Sequence, residues 1–100
     1  MNSQFQKQPE YKQQQGVQSF YEPALRVLNE IHDRKEVTLK RRGHPEKNAA
    51  VLKEEFSQAM AYRFRITQLL AQEIVSSLIK SALVESFGGY VKPKESGVQP

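Results

Sequence analysis

The sequence predicts a mainly α fold: an amphipathic helix, a short basic extended connector, and a long or broken helix in an oligomeric helical core. Three observations predict it. Residues 46–87 contain neither glycine nor proline, so nothing in them punctuates a helix. Ala24, Leu25, Val27, Leu28 and Ile31 recur at three- and four-residue spacing, the period of one helical face. Ile66 to Phe87 carries only three charged residues, Glu73, Lys80 and Glu85, so a helix there is apolar on nearly every side and must be surrounded.

Residues 1–18 are polar and glutamine-rich, with no helical or strand period among their few apolar positions. They read as a disordered arm, whose Phe5 and Tyr11, with Phe20 just beyond it, are the residues suited to docking. Residues 19–93 read as a single helical domain and 94–100 as a disordered tail. The first helix is expected to begin near Ser19, which with Glu22 fits a capping box, or at Glu22, which would put Pro23 at the first helical position. Arg26, Glu30 and Asp33 lie opposite its apolar stripe, and His32 and Arg34 suit its negative pole.

From Glu36 to Arg42 the pattern changes to period two, with Val37 and Leu39 alternating with Thr38, Lys40 and Arg42, which predicts a short strand or extended arm. Gly43, His44 and Pro45 stop it. Pro45 or Asn48 then opens the long segment. A gap-free helix from Pro45 to Phe87 would be roughly 64 Å long, against a radius of gyration of about 13 Å for a compact chain of this length. The helix therefore either breaks or projects towards a partner. A break belongs near residues 62–66, where Tyr62, Arg63, Phe64, Arg65 and Ile66 alternate apolar and basic, with Thr67 as the new cap. There Tyr62 and Phe64 are expected in the core, with the arginines beside them in solvent. On a helical wheel Ile66, Leu70, Ile74 and Leu78 form one strip, while Leu69, Ile79, Leu83 and Phe87 fall on other sides. These eight are the expected oligomer or partner interface, most simply a dimer. Gly88 is expected to cap this helix in the left-handed conformation, and Tyr90 to Pro93 to form a second extended piece beside Val37 to Arg41.

The formal net charge is +4, and its location carries more information than its size. Arg34, Lys35, Lys40, Arg41, Arg42 and Lys47 stand against only Glu36 and Glu46 in this stretch, an excess equal to the whole net charge. Clustered cations beside a glycine suit phosphate contacts, so Lys40, Arg41 and Arg42 are the primary nucleic-acid candidates, with Lys35, Lys47 and Arg34 secondary. Basic strand, helix, second helix: this order loosely resembles the ribbon-helix-helix arrangement over about half the chain. The resemblance implies paired strands from two chains, with Thr38, Lys40 and Arg42 reading DNA.

Catalysis has little support. There is no cysteine, which excludes disulfides, thiolate metal sites and a cysteine nucleophile. His32 and His44 lack the acidic spacing of a triad or zinc motif. The neighbouring Glu54 and Glu55 diverge by about 100° on a helix. Gly88-Gly89 lacks the context of a phosphate loop, and neither cofactor nor metal is expected. No apolar run resembles a signal peptide or reaches the ~20 residues of a membrane span, so a cytoplasmic protein is expected. The sequence thus points to a non-enzymatic, oligomeric nucleic-acid-binding accessory or regulatory protein. The alternative is a protein-interaction adaptor that uses the apolar C-terminal helix.

Overall fold

The computed structural model describes residues 16–94. Most of the expected arm and tail therefore lie outside the described residues; residues 16–18, assigned to the arm, are helical. The fold is mainly α with a small sheet.

The apolar spacing that predicts the first helix continues further than expected. α1 spans Tyr21–Arg41, 21 residues, and buries Ala24, Val27, Leu28 and Ile31. The capping box does not form: Phe20 stands at the cap without a side-chain bond, and the Ser19 hydroxyl donates to the Gly16 carbonyl at 2.7 Å. The residues expected as a strand, Val37 to Arg42, are the last turns of this helix and its cap. Leu39, eight residues after Ile31, stays on the buried stripe and is half-buried, so helical packing outweighs a three-residue alternation. Gly43 then adopts φ +78°, its N–H donates to Lys40 at 3.1 Å, and the His44 N–H donates to the Leu39 carbonyl at 2.8 Å. That is a Schellman stop, with glycine at the one left-handed position. With no strand at Val37 to Arg42, the ribbon-helix-helix resemblance falls.

Neither Pro45 nor Asn48 opens the long helix. Glu46–Asn48 make one 3-10 turn, and β1, Val51–Leu52, precedes α2, Lys53–Phe64. The segment then breaks where the alternation suggested. Arg65 takes the left-handed conformation at φ 57°. Thr67 caps α3, Gln68–Lys80, its hydroxyl accepting from the Leu70 N–H at 3.0 Å. α3 does not reach Phe87: Ala82 turns left-handed at φ 59°, the Leu83 N–H closes onto the Leu78 carbonyl at 3.0 Å, and Val84–Phe87 form β2. Gly88, expected as a helix cap, is instead the positive-φ residue of the turn between β2 and β3. β3, Tyr90–Pro93, lies in the centre of an antiparallel sheet of order β1-β3-β2, not beside Val37 to Arg41.

One cluster forms the core, drawing Leu28 from α1, Phe56 and Met60 from α2, Ile74 and Leu78 from α3, and Val51, Val84 and Val91 from the strands. α3 thus packs Ala71, Ile74, Val75 and Leu78 against its own chain, and Leu69 stays exposed.

Candidate nucleic-acid interface

α2 and α3 are joined by only three residues, Arg65, Ile66 and Thr67, a connection length shared by αα-hairpins and helix-turn-helix units. The turn is held from both ends. The Ile66 N–H donates to the Ala61 carbonyl at 3.2 Å, and the Gln68 amide Nε2 donates to the Ser57 hydroxyl of α2 at 2.6 Å. Ser57 in turn donates to the Glu54 carbonyl at 3.0 Å. α2 is fixed against α1 by Arg63 and Glu30, 2.7 Å apart, and by the Phe20–Phe64 stack, with ring centroids 5.6 Å apart. Phe64 therefore packs as expected, whereas Tyr62 is 86% exposed: it points away from the stripe of Phe56 and Met60 that faces the core.

α3 presents two faces. Ala71, Ile74, Val75 and Leu78 are buried, while Leu69, Gln72, Glu73, Ser76 and Lys80 form an exposed stripe at helical spacing. A shallow groove between Lys53 and Ser57 of α2 and Gln72 and Ser76 of α3 runs along it. The exposed set includes an amide, a hydroxyl, a carboxylate, an ammonium and an apolar tip, which are the groups that read base edges in a major groove.

The six basic residues expected to contact phosphate fall at the C-terminal end of α1 and in the 3-10 turn. Arg34 and Arg41 are seven residues apart, as are Lys35 and Arg42, so each pair shares a helix face about 10 Å apart. Lys40 and Glu46 approach to 3.5 Å, which fastens the 3-10 turn to the helix end. Lys35 and Glu55 are 3.2 Å apart, so Lys35 is partly neutralised. Arg34, Arg41, Arg42 and Lys47 are exposed and have no ion pair among the described residues. Because Lys35 reaches Glu55 near the start of α2 while Glu30 reaches Arg63 near its end, α1 and α2 run antiparallel. The basic end accordingly lies beside the N-terminal end of α2. Lys92 of β3 joins it by donating to the Lys47 carbonyl at 3.3 Å.

The eight residues expected at an oligomer interface are divided by the fold. Ile74 and Leu78 are buried, Ile66, Leu70 and Ile79 half-buried against the same core, and Leu69, Leu83 and Phe87 exposed. His44 is exposed in the loop after α1. With α1 continuous, His32, Asp33 and Glu36 bring one ligand atom each within 4.8 Å of one another. His32 Nδ1 lies 3.8 Å from the Glu36 carboxylate, one turn on along the same helix.

Against family models, curated proteins and solved structures, the chain has no match. The interface is therefore read from its own residues. Leu69 was expected at an interface, but sequence reasoning missed Gln72, Glu73 and Ser76 beside it because α3 was extended to Phe87, which filled its polar face with Leu83 and Phe87. The stop signal was Lys80 in a last turn, a basic residue suited to the helix C-terminus.

Proposed function

We propose that this protein binds duplex DNA without catalysing a reaction, as an accessory or regulatory factor. In this reading α3 enters the major groove and the basic end of α1 meets phosphates. The observation that carries it is the α2–turn–α3 unit with an exposed polar stripe on its second helix, the arrangement that helix-turn-helix proteins dock into DNA. The A-form major groove of double-stranded RNA is too narrow to be read in this way, which favours DNA as the duplex. Lys40, Arg41 and Arg42 supply sequence-independent affinity, with Arg34, Lys35 and Lys47 flanking. Gln72, Ser76 and Glu73 supply discrimination. The adaptor reading keeps less surface, since most of the apolar helix face that it needs is covered by the protein's own core.

Fluorescence anisotropy with duplex DNA tests the proposal. Replacing Lys40, Arg41 and Arg42 together with alanine is expected to weaken binding to every duplex and to reduce the slope of log affinity against log salt by up to about 3. The Gln72→Ala, Ser76→Ala double variant is expected to keep the salt slope and to lose about 1 to 3 kcal/mol of preference between sequences. Binding that neither variant alters removes the proposal.

A further inference from the structure

The outer face of the sheet carries a row of apolar side chains that neither the core nor α3 uses. Leu52 of β1 is paired with Tyr90 of β3, and Tyr90 with Phe87 of β2. Cross-strand partners project from the same face, so the three stand side by side. Val51 and Val91, one step along, point the other way and are fully buried. The outward row is 47%, 43% and 49% exposed at Leu52, Tyr90 and Phe87. The Phe87 and Tyr90 rings stack with centroids 6.1 Å apart and planes inclined by 23°. Beyond them the turn is Gly88-Gly89, where an added Cβ would meet nothing within 4 Å, so this end of the row is bordered by backbone alone.

Size decides between occupants. Half-exposed side chains of this type offer on the order of 300 Å² together, whereas a specific protein interface takes about 800 Å² from each partner. The row alone falls short of such an interface and matches a flat ligand of one or two rings. Charge points the same way. Lys92 follows Tyr90 on the outward face, with Glu85 the acid opposite it in register. The Lys92 ammonium is engaged by one carbonyl, Lys47, and the Lys94 ammonium by another, Ala82 at 3.0 Å, which leaves donors on each for a phosphate.

We propose that Leu52, Tyr90 and Phe87 form a stacking platform for an unpaired nucleobase of single-stranded nucleic acid, with Lys92 beside them holding a phosphate. Stacked aromatics beside cations bind single strands with little sequence preference, because every base has a π-face. The platform shares its partner class with the proposed duplex contact but none of that contact's base-reading residues, so the two stand or fall separately.

The test uses the whole chain and two labelled probes, an oligothymidylate of about 12 nucleotides and a blunt duplex. Tyr90→Ala and Phe87→Ala, both at exposed positions, are expected to weaken oligothymidylate binding about five- to a hundredfold while changing duplex binding less than about twofold. Tyr90→Phe is expected to restore it, and a Tyr90→Trp variant to show quenched emission at saturation as the base stacks. Unchanged oligothymidylate affinity in the alanine variants overturns the platform, as does an unmoved tryptophan signal or absence of binding by the native chain. A Tyr90→Ala variant that instead lowers the mass of a self-associated species also overturns it, by assigning the row to a second copy. Oligothymidylate binding without duplex binding keeps the platform and removes the duplex proposal.

Discussion

Ser57 shows how one small polar residue ties two helices together. It is the one buried polar side chain among the described residues, and both its roles are filled: it donates to the Glu54 carbonyl and accepts from Gln68. The two partners are not equivalent. Gln68→Ala leaves the hydroxyl with its donation intact and forfeits one hydrogen bond, an expected loss of about 1 kcal/mol. Ser57→Ala strands a half-buried amide facing α2, which adds the desolvation cost of an unmet donor, about 1 to 3 kcal/mol. Urea unfolding should therefore rank Ser57→Ala below Gln68→Ala, and the reverse order would mean that the amide finds water readily.

At the level of elements, the helix ends explain both what the sequence disclosed and what it concealed. The first helix, the break near residues 62–66 and the Thr67 cap were legible because each rests on local chemistry: an apolar period, poor helix formers in alternation, and a hydroxyl at the cap. The end of α1 was equally local, since Lys40, Arg41, Gly43 and Pro45 are a helix stop in order, but the alternation of Val37 and Leu39 masked it. The strands were not legible. β1 is two residues long, and β2 is four residues at the end of an apolar run, where periodicity cannot separate strand from helix; only pairing with β3 across the chain decides them. The same ends predict stability changes. Gly43 and Ala82 both have positive φ, 78° and 59°, and at Gly43 no neighbour would meet a Cβ. Gly43→Ala should therefore cost about 1 kcal/mol through backbone strain alone. Ala82→Gly should stabilise by roughly 0.5 kcal/mol, the relief of strain exceeding the added freedom of the unfolded chain. Thermal unfolding of the two variants checks both signs.

For the whole molecule, the question is whether one chain suffices. The expected oligomeric core rested on Ile66 to Phe87 being a single helix apolar all round; divided into α3, a turn and β2, the segment places Ile74 and Leu78 in a cluster shared with α1, α2 and all three strands. No element has a core of its own, so helices and sheet should melt together. Phe56 is fully buried in that cluster, and Phe56→Ala is expected to remove about 3 to 5 kcal/mol. For a domain whose total stability is of the order of 5 kcal/mol, that leaves much of the population unfolded at 25 °C. The native chain discriminates further. Helical circular dichroism and the amide signals of β3 should follow one denaturant curve, with a midpoint independent of protein concentration. A midpoint that rises with concentration means that a second chain contributes to stability, and it would return Leu69, Leu83 and Phe87, the exposed members of the expected interface, to the role the sequence suggested. Binding through the basic end and α3 would then be bivalent, with affinity multiplied by the fixed separation of two such surfaces.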